Sequence, residues 1–242
     1  MEPKDRIIAA LDLDDPDKAM QLVKLLASVV GMFKVGKQLF VRGGPDLVRA
    51  ILKEKGVFLD LKFHDIPNTV MKAGIEAMKL GVRMFNVHCS GGLEMMETTA
   101  KEVGAEAKKL NREPPWILGV TVLTSLDASD FAREGVVLPE GGIEELVWRR
   151  AALAKECGLD GAVSSPQEVK VIRKVCGPDF KIIPAGIRPA DSKKHDQVRT
   201  GTPGQAIKDG ADYIVVGRPI IEAADPVEAA KQIADEIAEA MA

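Results

Sequence analysis

The sequence predicts a (β/α)8 barrel, built as one domain over residues 1–242. Three observations lead there. Short apolar runs alternate with amphipathic stretches along the whole chain, eight times, in units of roughly 20–35 residues. Proline opens many of the amphipathic stretches and glycine closes them. Charged residues also recur where the apolar runs end, and in barrels of this kind chemistry gathers at the C-terminal ends of the strands. A length of 242 residues fits such a barrel, which runs to about 250 as one domain.

The units follow in order. Ile7 to Leu13 reads as the first strand, with a helix from Pro16 to about Val29. Met32–Val35 precedes a helix near Pro45–Lys55, and Val57–Lys62 precedes Pro67–Leu80. Met84–His88 leads to Leu93–Leu110, and Trp116–Leu123 to Ile143–Cys157. Gly161–Ser164 leads to Pro166–Val175, Phe180–Pro184 to a short helix at Pro203–Asp209, and Tyr213–Val216 to Pro226–Ala240. Proline is tolerated at a first helical position because the amide it lacks has no partner there (Pro16, Pro45, Pro67, Pro166, Pro203, Pro226). Glycines sit just past the expected helix ends (Gly31, Gly56, Gly81, Gly158, Gly210). Two connections are long: Thr124–Gly142, with room for a short helix, and the polar Gly186–Thr202. Such loops often serve as lids or binding loops.

Composition narrows the function. Lys and Arg number 33 against 36 Asp and Glu, a formal charge of −3, which argues against an electrostatic footprint for nucleic acid. No apolar run approaches the roughly 18 residues of a membrane span. The N-terminus lacks the pattern of a secretory signal. Cys89, Cys157 and Cys176 form no Cys-x-x-Cys pair, so a reducing cytoplasm fits best. His64, His88 and His195 show no metal-ligand spacing, and no Gly-x-Gly-x-x-Gly or Walker loop is present, so neither a metal nor a dinucleotide or ATP cofactor is expected.

The richest stretch is Leu59-Asp60-Leu61-Lys62-Phe63-His64-Asp65-Ile66-Pro67-Asn68-Thr69. Alternation along a strand puts Asp60 and Lys62 on one face. An isolated Asp-x-Lys reads as a structural ion pair, and Asp12 alone could cap the helix at Pro16. Asp12 ending strand one and Lys34 ending strand two share the rim with Asp60 and Lys62, which moves the reading toward chemistry. Asp65, His88, Thr121 and Thr124 fall on the same rim. So do Arg188, in Gly186-Ile187-Arg188, and Arg218, in Gly217-Arg218. Loops after strands seven and eight often hold phosphate in such barrels, with glycine admitting backbone amides and arginine supplying a fork. His88 reads as a satisfied polar residue and Cys89 as a small buried filler.

On these residues the chain resembles the orotidine 5′-phosphate decarboxylase family. The core is Asp60-x-Lys62-x-x-Asp65-Ile66-Pro67-x-Thr69. The likeness extends through Ala10-Leu11-Asp12, Phe33-Lys34-Val35-Gly36, Asn86-Val87-His88, Thr121-Val122-Leu123-Thr124, Gly186-Ile187-Arg188-Pro189, Asp196-Gln197-x-Arg199 and Val216-Gly217-Arg218. Cys89 departs from the alanine that relatives often carry.

The resemblance implies release of CO2 from orotidine 5′-phosphate to give UMP, with no cofactor. It implies a charge array of Lys34, Asp60, Lys62 and Asp65, with Lys62 as proton donor. It also implies a homodimer in which Asp65 and Thr69 reach the partner's site. Asp12 and Lys34 are expected on the ribose and Thr124 on the pyrimidine. Arg188, Gln197, Gly217 and Arg218 are expected on the phosphate. A Mg²⁺-dependent relative acting on a β-keto sugar acid phosphate would carry an acidic ligand in place of Lys34. A barrel that binds nucleotides without turnover would not need Lys62 flanked by carboxylates.

Overall fold

A computed structural model describes residues 1–189 and 199–242. Its eight strands are β1 (Ile7–Ala10), β2 (Met32–Gly36), β3 (Val57–Phe63), β4 (Met84–His88), β5 (Trp116–Val120), β6 (Gly161–Ser164), β7 (Lys181–Pro184) and β8 (Ile214–Val216). Every ladder is parallel, in the order β7-β6-β5-β4-β3-β2-β1-β8, which is a barrel closed except for a seam between β7 and β8. At the seam Asp212 bonds twice to Ile182: its amide donates to the Ile182 carbonyl and its carboxylate accepts from the Ile182 amide, each at 2.9 Å.

The helices are α1 (Pro16–Leu26), α2 (Lys37–Leu52), α3 (Pro67–Leu80), α4 (Leu93–Lys109), α5 (Ala128–Arg133), α6 (Gly142–Glu156), α7 (Val169–Cys176), α8 (Pro203–Lys208), α9 (Arg218–Ile221) and α10 (Pro226–Met241). Proline stands in the first turn of α1, α3, α8 and α10, as expected. Pro45 does not start a helix. It lies inside α2, which begins at Lys37 and breaks at Gly44, where φ is +60°. The proline marked a kink that only a glycine at φ > 0 accommodates cheaply. Strand β1 stops at Ala10, three residues short of the expected Leu13, and that frees Asp12 for the barrel mouth. Asp15, not Asp12, caps α1, accepting from the Asp17 and Lys18 amides at 2.9 and 3.3 Å. The expected short helix in Thr124–Gly142 is α5, whereas α9 has no counterpart among the sequence-predicted helices.

Alternation along the strands separates two apolar cores. Ile7, Ala9, Phe33, Val35, Val57, Leu59, Phe85 and Val87 face outward to the helices. Ile8, Met32, Phe58, Met84, Leu118, Ile183, Tyr213 and Val215 fill the barrel interior. Moving two residues up each strand from Met32, Phe58 and Met84 gives Lys34, Asp60 and Asn86, all buried. The interior thus changes from apolar to polar in a single layer, at the C-terminal end.

Candidate active site

That polar layer floors a cavity of about 500 Å³. Of the sequence-predicted residues, Asp12, Lys34, Asp60, Lys62, Thr124, Arg188, Gly217 and Arg218 line it, together with Gly36, Lys37, Gly186 and Glu222. They come from β2 and β3 and from the segments after β1, β2, β5, β7 and β8, so the fold brings together positions more than 200 residues apart.

Four charges form a chain across the floor. Lys34 Nζ lies 2.8 Å from Asp12 Oδ1 and 3.2 Å from Asp60 Oδ2. Lys62 Nζ lies 2.6 Å from Asp60 Oδ1. The Lys34 and Asp60 side chains are only 9 and 10 % exposed. Burial works against the Lys34 ammonium, but Asp60 and Asp12 outweigh it and lift its pKa above the ordinary lysine value. Burial likewise disfavours the Asp60 carboxylate. Lys34, Lys62 and the Asn86 amide outweigh that and hold its pKa below the usual range. Lys34 and Asp60 are therefore held in their charged forms, with Asp60 shared by two ammonium groups. Space beside it is tight: a Cβ on Gly36 would sit 3.2 Å from Lys34 Nζ and 3.3 Å from Asp12 Oδ1.

Lys62 reaches this array by a backbone irregularity. Its φ is +51°, in the left-handed region that a non-glycine residue occupies at some cost. Pairing between β3 and β4 shifts from Leu59 opposite Phe85 to Phe63 opposite Val87, so four residue steps on β3 face two on β4. Asn86 holds the bulge. Its side-chain oxygen accepts the Lys62 amide at 2.7 Å, and its Nδ2 donates to Asp60 Oδ1 at 2.7 Å. Asp60 and Lys62 do meet as expected, but across this bulge and not by regular alternation. Asn86 belongs to the family-like stretch Asn86-Val87-His88, but no role was expected of it. Its signal was a polar residue at an interior position of an otherwise apolar strand.

The opposite side of the cavity is built differently. Arg188 is buried, its amide donating to the Gly201 carbonyl at 2.9 Å and its Nη1 to the Ile187 carbonyl at 2.7 Å. Gly217 precedes α9, whose first residue is Arg218. Two arginines and glycine backbone give this side the character of an anion site.

Asp65 and Thr69 do not line the cavity. Both are exposed, and Asp65 Oδ1 accepts the amide of its neighbour Ile66 at 2.7 Å. Gln197, with His195 and Asp196, lies outside the described residues. His88 stacks on His64 with ring centroids 5.1 Å apart, and its Nδ1 is 3.1 Å from Ser90 Oγ. Burial, with the charges of His64, Arg150, Lys62 and Lys37, pushes its pKa down to about 4. Burial raises the Cys89 thiol to about 12, and its Sγ would lie 2.6 Å from a Cβ on Gly119, so it fills a gap as expected. Among the described residues no three His, Cys, Asp or Glu side chains cluster as a metal site, and no helix is long and apolar enough to cross a membrane.

Known proteins match the chain along nearly its whole length. Residues 5–233 match the model of the orotidine 5′-phosphate decarboxylase / HUMPS family. The chain is 52% identical over 240 residues to an orotidine 5′-phosphate decarboxylase of Syntrophomonas wolfei subsp. wolfei, covering 99% of this chain and 100% of that one. It is 51% identical over 242 residues to one of Syntrophotalea carbinolica, covering 100% and 98%. The crystal structure of orotidine 5′-phosphate decarboxylase from Lactobacillus acidophilus superposes with a TM-score of 0.83 at 34% identity, covering 96% of this chain and 98% of that one.

Proposed function

The chain belongs to the orotidine 5′-phosphate decarboxylase / HUMPS family, and we propose that it converts orotidine 5′-phosphate to UMP and CO2, the last step of de novo pyrimidine nucleotide synthesis. The observation that carries this reading is the Lys62 ammonium, held 2.6 Å from Asp60 at the floor of a cavity whose far side carries Arg188 and Arg218.

The bond from C6 to the carboxylate breaks, and its electron pair stays on C6 in an sp² orbital that the ring cannot delocalise. Lys62 stabilises that charge, then gives C6 its proton and becomes a neutral amine, which solvent reprotonates. Fixed charge aimed at a developing anion is often the largest catalytic contribution. No cofactor takes part, because the lysine supplies both the field and the proton. Asp12 and Lys34 hold the ribose hydroxyls, Thr124 the pyrimidine edge, and Arg188, Gln197, Arg218 and the Gly217 amide the phosphate. Binding energy gathered at the phosphate supports chemistry at the remote C6.

The active form is a homodimer of single-domain chains in the cytoplasm, a compartment that suits three buried free cysteines. Asp65 and Thr69, exposed on their own subunit, complete the partner's site. Mixing inactive Lys62→Ala and Asp65→Ala proteins then restores up to about a quarter of wild-type activity through heterodimers with one intact site. A mixture as inactive as its components places Asp65 elsewhere.

The deciding assay follows ultraviolet absorbance while the purified protein is incubated with orotidine 5′-phosphate, with and without EDTA. Equal loss of substrate absorbance in both arms is expected. EDTA sensitivity assigns the chain to a metal-dependent reaction, although Lys34 sits where a cation would be repelled. Tight UMP binding with no absorbance change makes it a nucleotide sensor.

A further inference from the structure

A second buried ion pair lies behind the rim, and neither of its residues lines the cavity. Arg199 Nη1 pairs with Glu168 Oε1, and both residues are less than a tenth exposed. Glu168 is fixed in turn by Ser165, whose amide donates to Oε2 at 3.0 Å and whose hydroxyl bonds the same oxygen. The other terminal nitrogen of Arg199, Nη2, donates to the backbone carbonyls of Val122 and Leu123 at 3.3 and 3.0 Å. Leu123 immediately precedes Thr124. Two residues beyond Arg199, Gly201 bridges to Ile187, and its carbonyl accepts the Arg188 amide. Gly201 also lies so close to the turn after β6 that a Cβ there would stand 2.7 Å from Pro166 Cβ. One guanidinium therefore ties three rim segments together: the one after β5 bearing Thr124, the one after β6, and the stretch against which Arg188 is laid.

We propose that Arg199 and Glu168 are positioning residues that hold the phosphate side of the cavity in register with its pyrimidine side. The inference rests on the decarboxylase reading and adds to it a cause for the placement of Arg188. Burying this pair is expensive and adds little net stability compared with apolar side chains of the same size. What the pair supplies is geometry, because a planar fork meets a carboxylate and two carbonyls at fixed angles. Misplacing a binding group by about 1 Å is enough to cost about 100-fold in rate.

Arg199→Lys is the informative variant. Lysine keeps the charge beside Glu168 but cannot also hold both carbonyls. The full-length wild type and variant are assayed on orotidine 5′-phosphate and on orotidine, the same substrate without its phosphate. We expect kcat/KM for the phosphorylated substrate to fall by about 100-fold, while that for orotidine changes by less than about threefold and thermal unfolding stays close to wild type. A Glu168→Gln/Arg199→Met double variant, which leaves no buried charge unpaired, shows the same asymmetry if Arg199→Lys folds poorly. Equal losses on both substrates, or no loss on either, overturn the proposal. If the wild type itself leaves orotidine 5′-phosphate intact, the decarboxylase reading fails first, and the two failures are thereby told apart.

Discussion

Two charge clusters occupy opposite ends of the barrel, and they differ in how fully their donors are used. At the N-terminal end Arg173 Nη2 lies 2.6 Å from Asp212 Oδ2, with Lys181 3.5 Å from Oδ1. The other Arg173 nitrogens donate to backbone carbonyls: Nη1 to Gly177 at 2.5 Å and Phe180 at 2.8 Å, and Nε to Gly210 at 3.1 Å. Asp212 also accepts the Ile182 amide, so this cluster is stitched into the chain around it. At the C-terminal end Lys62 donates to Asp60, and the rest of its ammonium faces the cavity, with 27 % of the side chain exposed. Both clusters contain a carboxylate shared by two cations. One spends its donors on its own backbone and the other keeps them for a guest, and that difference separates a structural cluster from a chemical one more reliably than charge does.

The comparison can be broken by mutation, and the largest effect is expected at Lys62. Lys62→Ala should lower kcat by at least about 10⁴-fold, since it removes both the stabilising charge and the proton. Circular dichroism should show the fold intact. Near-normal turnover would place the chemistry elsewhere. Asn86→Ala tests whether the bulge belongs to the site: kcat should fall by about 100-fold, with a stability loss of ~1–3 kcal/mol from the unpaired Lys62 amide. A loss of stability with kcat intact would move Asn86 into the structural class. Arg173→Met should do the reverse of Lys62→Ala, costing ~3 kcal/mol in urea unfolding because Asp212 loses its closest cation. Its kcat/KM should stay within about threefold of wild type below the unfolding temperature.

The smallest effect concerns pH. His88 has an ordinary value of 6.5 that the fold depresses to about 4. Between those values the unfolded chain takes up a proton that the folded chain refuses, so stability falls as pH drops through this window and is fully present above it. His88→Gln should flatten the urea midpoint between pH 6.5 and 4. Asp60, whose folded pKa is lowered from 3.8, adds its own loss below about pH 5, so the His88→Gln difference is read between pH 6.5 and about 5. An unchanged slope would assign the pH dependence to another group.

Much of this was legible in the sequence because the signals were local. Proline at first helical turns and glycine past helix ends are properties of a few neighbouring residues, and they located most of the helices. Asp12, Lys34, Asp60 and Lys62 were found because each ends an apolar run. The failures were of two kinds. Pro45 gave a correct local signal with two meanings, a helix start or a kink, and only the helical turn Lys37–Gly43 before it decides. Asn86 and the Arg199–Glu168 pair depend on distant partners: Asn86 bonds residues 24 and 26 positions away, and Arg199 reaches Val122 across 77. An uncharged amide in a strand, or one arginine among many, gives no sign of that until the chain is closed.

The irregular pairing of β3 bears on how this chain can change length. Two of its residues stand outside the ladder, and a deletion there would let the sheet zip up with better hydrogen bonding than it has now. Removing Leu61 and Lys62, for example, would leave Asp60 alone opposite Asn86 and take the ammonium away. A more regular sheet and a working enzyme are thus competing outcomes for the segment between Leu59 and Phe63, and shortening it should yield well-folded, inert protein.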